Sequence, residues 1–203
     1  MAATITFNPY ATSVSQSSFL LQTDGFVQGV FLDSPTTRYA LEGGYVAASQ
    51  ATPIWGGLPL SIVVPAPGAG GSSSNLGAAV TLATALANID GWSLLNQSSA
   101  GVITSTSPSP LYPSGASINF GRVGSGMLVC LPVNPAAVNT IASGASNQAI
   151  YWNYTNNYVD VTGTGALGLQ IYALNTNSKT ISYNTGTGAA SWVNGGSVIV
   201  VRI

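Results

Sequence analysis

The feature that most constrains this chain is its punctuation. Twenty-four glycines and eleven prolines cut it into short apolar runs rich in Val, Ile, Tyr, Phe and Thr. Such residues suit a pleated, half-buried surface, and runs this short are strands rather than helices. The chain therefore reads as mainly β. The expected form is a jelly-roll-like sandwich or small β-barrel with one short helix and an extended N-terminal arm.

The arm is expected over residues 1–20: Thr4–Phe7 is a strand candidate, Asn8-Pro9 breaks it and a Ser/Gln-rich stretch follows. The β-rich domain is expected over 21–203. Strands are expected at 26–32 and 38–47 around a turn at Asp33-Ser-Pro35, and at Ser61–Val64. Further strands are expected at 100–105, 117–122, 126–131, 148–152, 158–162, 168–174, 179–183 and 196–202. The helix is expected at 76–89. Leu76, Val80, Ala83 and Ala87 share one face at helical spacing, Asn75 is a suitable N-cap, and Asp90-Gly91 a suitable stop. A helical turn is expected over 135–141. Two lobes dividing near 106–116, the second a barrel-like unit over 148–203, and a single sandwich built from both halves are both compatible with this pattern.

Charge narrows the functions. Only 4% of the 203 residues are charged, against roughly 25% in ordinary soluble chains. The polar surface is instead hydroxyl and amide: Ser, Thr and Asn make up 59 residues (25 + 19 + 15). Arg38, Arg122, Lys179 and Arg202 are too few to track a phosphate backbone or hold an anionic membrane, so neither nucleic acid nor membrane is an expected partner. With no His and one Cys, the zinc, haem and Ser-His-Asp patterns fail. A net charge of −1 gives little colloidal repulsion, which favours a chain that works in an assembly.

No residue is assigned a catalytic, cofactor-binding or metal-ligating role. The loop Gly68-Ala-Gly-Gly-Ser-Ser73 lies where a dinucleotide loop would lie, but it lacks the third glycine and no lysine follows. Asp24, Asp33, Glu42, Asp90 and Asp160 are widely spaced, and nothing in the pattern pairs two of them as glycoside hydrolysis requires. Cys130 sits in an apolar run, Met127–Leu131, and is expected to be buried. Lys179, the single lysine, is expected on a solvated strand. Trp55, Trp92, Trp152 and Trp192 are expected in the core. The opening MAATITFNPY has neither a basic nor an apolar signal region, so no secretory signal is expected.

Two stretches resemble proteins of tailed-bacteriophage heads. Residues 41–60, which include Ile54-Trp-Gly-Gly-Leu58, are similar to a segment of head structural proteins. Residues 148–202 resemble the barrel of capsid cement (decoration) proteins. The likeness lies in Ala149-Ile-Tyr-Trp152, Tyr158-Val-Asp-Val161, Gly168-Leu-Gln-Ile-Tyr172 and Val198-Ile-Val-Val-Arg202. The resemblance implies a non-enzymatic virion protein on the outer surface of an icosahedral capsid. It would be made in the bacterial cytoplasm and would bridge neighbouring capsomers. The implied partners are the major capsid protein and further copies of itself, a trimer being favoured over a dimer. No cofactor is implied. The alternative is a head-fibre or tail-tip adhesin that binds host glycan. Deleting residues 2–18 is expected to weaken capsid attachment and leave the domain folded.

Overall fold

A computed structural model describes residues 25–32, 40–64, 77–95 and 111–203. The fold is mainly β, with one short α-helix among the described residues. The strands are β1 (Phe31–Leu32), β2 (Leu41–Val46), β3 (Pro59–Val63), β4 (Ala78–Leu82), β5 (Gly91–Leu94), β6 (Ser117–Arg122) and β7 (Leu128–Pro132). Helix α1 (Val138–Ser143) follows, then β8 (Tyr151–Asn153), β9 (Tyr158–Asp160), β10 (Gln170–Asn184) and β11 (Ala189–Arg202). The N-terminal arm, the strand expected at 100–105 and the glycine-rich loop at 68–73 lie outside the described residues.

β2, β4, β3, β5 and β6 close into a five-stranded barrel in that order. The β2–β4 pair is parallel and the other pairs are antiparallel. Val46, Leu60, Val80, Trp92, Leu94, Ile118 and Phe120 are all buried and belong to the core. Beside the barrel lies a four-stranded sheet in the order β1-β7-β11-β10, and β8 and β9 form a separate hairpin. The closed barrel thus falls within 41–122, while 148–203 supplies this hairpin and the two long strands of the open sheet.

The apolar runs 128–131 and 198–201 follow from that sheet. β7 pairs with β1 and β11, and β11 with β7 and β10, so both are central strands. On one face Val129, Leu131, Ile199 and Val201 join the main core. On the other, Cys130, Val198 and Val200 form a second cluster against Phe26 and Val30. A strand covered on both faces loses the alternation of a half-exposed one. The main core is continuous from the barrel to Ile150, Trp152 and Val159 in and beside the β8–β9 hairpin. Tyr112, within the stretch 106–116, is buried and exchanges both backbone hydrogen bonds with Ile54.

The helix expected at 76–89 is absent from its described residues, 77–89. Its first part is strand β4, clamped between β2 in parallel and β3 in antiparallel register. Its end is a single 3-10 turn, Leu86–Asn88, with no buried residue. An Ala/Leu-rich run buried between two neighbours carries the same apolar spacing as a helix face, and period alone does not separate them. Asp90 does not stop a helix. Its carboxylate accepts the Ile62 N–H at 2.7 Å, and β5, which no sequence signal marked, begins at the next residue.

The helical turn expected at 135–141 is present as a 3-10 turn, Pro135–Ala137, running into α1. Pro135 opens it, and the Asn134 side chain accepts the Ala136 N–H at 3.1 Å. The strands expected at 168–174 and 179–183 are one strand, β10. The polar gap between them is a register shift against β11, where Asn175 Oδ1 accepts the Asn177 N–H at 2.7 Å. The strand expected at 26–32 is broken: Val27 makes an isolated bridge to Lys179, and the chain turns at Gly29 before β1.

Candidate interaction surfaces

The ionic groups of the described residues are committed locally. Arg122 Nε lies 2.6 Å from a Glu42 carboxylate oxygen on neighbouring strands. Asp90 is held by Ile62. Asp160 accepts from Asn134 Nδ2 at 2.8 Å and from the Val161 N–H at 2.7 Å. The Arg202 guanidinium lies 5.3 Å from the centre of the exposed Tyr172 ring. Each carboxylate therefore orders a turn or pins a strand. Among the described residues no group of three or more His, Cys, Asp and Glu could hold a metal ion. No helix among them is long and apolar enough to cross a membrane.

Lys179 departs from expectation. It is 2% exposed, not solvated, with its ammonium 6.0 Å from the centre of the Trp192 ring. Burial lowers its pKa, because desolvation penalises the charged form. The burial follows from the fold: the 26–28 segment bonds to the Lys179 backbone on its outer edge, and β11 covers the inner one.

Several asparagines also have structural roles. Asn153 Oδ1 accepts the N–H groups of Thr155 and Asn156, and Asn184 Oδ1 those of Gly186 and Thr187. These bonds turn the β8–β9 and β10–β11 hairpins, the local role for which Asn is favoured.

Cys130 is buried, as its apolar run implies. Burial pushes its thiol up from 9.0 to about 12. A thiol reagent is therefore expected to label it only after unfolding. The unfolded chain gives up this proton near pH 9, whereas the native chain holds it to about 12. Stability is thus complete below pH 9 and falls as pH rises toward about 12. Urea midpoints of the wild type and Cys130→Val, taken across that range, check this: the wild type should lose stability faster.

The segment Trp55-Gly-Gly-Leu58 is the junction of the molecule. Its Gly57 N–H donates to the Ser93 carbonyl. Ser93 Oγ, fully buried, accepts from the Leu58 N–H at 2.8 Å and contacts the Trp55 carbonyl at 2.6 Å. Trp55 packs on Tyr183 of the long hairpin, ring centres 4.9 Å apart. The buried Gln28 donates to the Gly56 carbonyl and accepts from the Ile181 N–H, both at 2.9 Å. One glutamine thus ties barrel, N-terminal segment and hairpin together. The Gly-Gly pair was the only sequence sign of this junction, and nothing in the sequence pointed to Gln28.

An apolar cleft also lies among the described residues. Leu86, Ile89 and Trp92 line it from the barrel side, with Val123 beyond β6 and Leu167 and Leu169 from the loop before β10. Trp92 meets Trp152 edge to face, ring centres 5.1 Å apart. The two are sixty residues apart in the chain, so no sequence spacing could have joined them. The indole N–H groups of both, and the Tyr154 hydroxyl, are buried without hydrogen-bond partners. Around the cleft mouth Leu86 is 38% and Val123 48% exposed. Elsewhere Val64, Tyr172 and Val193 also face solvent. No family model, curated protein or solved structure matches the chain.

Proposed function

We propose that this chain is a structural virion protein that decorates and stabilises an icosahedral phage capsid by bridging neighbouring capsomers. The observation that carries the reading is the surface. The described carboxylates are spent on pinning the fold, while large apolar side chains stand exposed. Such a surface docks with little ionic desolvation and suits an interface more than free solution. The resemblance of 41–60 and 148–202 to phage-head and cement proteins supplies the setting. Many copies on a closed shell add avidity without new contacts.

Density-gradient fractionation of particles, with mass spectrometry for this chain, tests the proposal. The expected result is co-banding with DNA-filled heads in a fixed ratio to the major shell protein. Recovery in soluble fractions, or with tails alone, would overturn it. Among the described residues, exposed Tyr172 near Arg202 favours the glycan-binding alternative, since a tyrosine face suits a sugar ring. Recovery with tails would turn the work to that site.

A further inference from the structure

The open sheet carries a row of side chains across its four strands. Leu32 pairs with Leu128, Leu128 with Arg202, and Arg202 with Gln170. Directly paired residues share a face of a sheet. The two leucines are half-buried against the cluster of Cys130, Val198 and Val200, while Arg202 and Gln170 are exposed. The register shifts between Ile171 and Ala173, which leaves Tyr172 without a paired residue on β11. A bulge of this kind re-aims a side chain. The Tyr172 ring, 58% exposed, lies with its centre 5.3 Å from the Arg202 guanidinium.

Arg202 is the unspent cation of the described residues. Arg122 is bound to Glu42 and Lys179 is buried, whereas no carboxylate among the described residues lies within ion-pair reach of Arg202. Stacking on an aromatic ring orders a guanidinium and leaves its N–H edge for an acceptor. A carboxylate accepts two such N–H groups at once. One guanidinium does not hold a nucleic acid, whose binding grows with the number of phosphates neutralised. A second copy of this chain is a poor donor too, since its Glu42, Asp90 and Asp160 are engaged within their own fold. The leucines beside Arg202 decide between the remaining sources. An aliphatic side chain next to the acid gains by packing on them, and a sugar, hydroxylated on every side, gains little there.

We propose that this row, Leu32, Leu128, Arg202 and Gln170 with Tyr172, is a docking site for an acidic side chain of a partner polypeptide, flanked by an aliphatic residue. The Arg202 fork takes the carboxylate and the leucines take the aliphatic neighbour. That the partner is a shell subunit rests on the capsid reading; the site itself does not.

The test uses the full chain and three probes: acetyl-Leu-Glu-Leu-amide, its glutamine counterpart, and glucuronate as a sugar carboxylate. The readout is the shift of the Tyr172 and Arg202 backbone ¹⁵N–¹H resonances on titration. The glutamate peptide should shift both in the millimolar range. It should bind about threefold to tenfold tighter than either other probe. Arg202→Lys keeps the charge and loses the fork, and should bind the glutamate peptide about threefold more weakly or worse. Unmoved resonances, equal binding of the two peptides, or unweakened binding by Arg202→Lys overturns the site. Glucuronate binding as tightly as the glutamate peptide, or more so, overturns the polypeptide as its occupant.

Gradient banding of Arg202→Gln separates the two proposals, with Tyr172→Leu in its place should Arg202→Gln lower the urea midpoint. Loss of banding supports the site as an attachment point. Banding equal to that of the wild type overturns the site as a docking surface and leaves the capsid reading standing. A bound glutamate peptide with no banding of the wild type overturns the capsid reading and keeps the site.

Discussion

Replacing Gly29 with valine is expected to destabilise the fold by about 3 kcal/mol or more. Two independent costs add. Gly29 has φ of 78°, where a side chain clashes with its own backbone. A Cβ there would also lie 2.4 Å from the Gly56 Cα and 2.9 Å from the Gly57 nitrogen. These are backbone atoms, so no rotamer change relieves them. Neither segment is free to move aside, since the Gly29 carbonyl accepts from the Leu95 N–H at 2.7 Å, its N–H donates to the Cys130 carbonyl at 2.8 Å, and the Gly57 N–H donates to the Ser93 carbonyl at 2.8 Å. Gly115 is the control, with φ of 80° and open space around it. Valine there should cost only the conformational part, about 1–2 kcal/mol. Urea unfolding of both variants checks the difference, and equal losses would refute the close-approach argument.

Gln28→Leu is expected to cost about 2–5 kcal/mol, although leucine is apolar and similar in size. The change strands two buried groups at once, the Gly56 carbonyl and the Ile181 N–H. Gln28→Glu sharpens the test. A carboxylate can still accept from Ile181 but faces the Gly56 carbonyl without a proton to give. The native state therefore holds that proton more tightly than the unfolded chain. The variant should be most stable below the ordinary Glu value of about 4.3 and lose stability as pH rises. Urea midpoints between acid and neutral pH read this directly. Wild-type stability from Gln28→Leu would refute the tie between barrel and hairpin.

Both residues show where sequence reading ended. Val-Gln-Gly-Val at 27–30 looked like the middle of a strand, because the β-branched residues are local and visible while the partners are not. An isolated glycine in a strand pattern does signal a bulge or a close approach. It does not say to what: Gly56 lies 27 positions away, and Ile181 lies 153 positions from Gln28. The run 76–89 failed for a related reason. Its alanines and leucines satisfy a helix period, and only the strands on either side make it β4.

Where burial was two-sided or turns were chemically marked, the sequence was legible. β6 falls at the expected 117–122, and Val198–Val201 form part of β11 as expected. The burial of Cys130 followed from its neighbours alone.

Composition and local pattern thus determined the mainly β class, the turns made by asparagine and glycine, and a surface poor in charge. These depend on each residue's own conformational and solvation preferences, which act over a few positions. Tertiary structure alone decided that the barrel closes within 41–122, that Lys179 is buried, that Gln28 joins three parts of the fold, and that Trp92 meets Trp152 beside an open cleft. Those features arise when distant segments are brought into contact, and the free energy that holds them belongs to pairs of residues rather than to either residue's place in the chain.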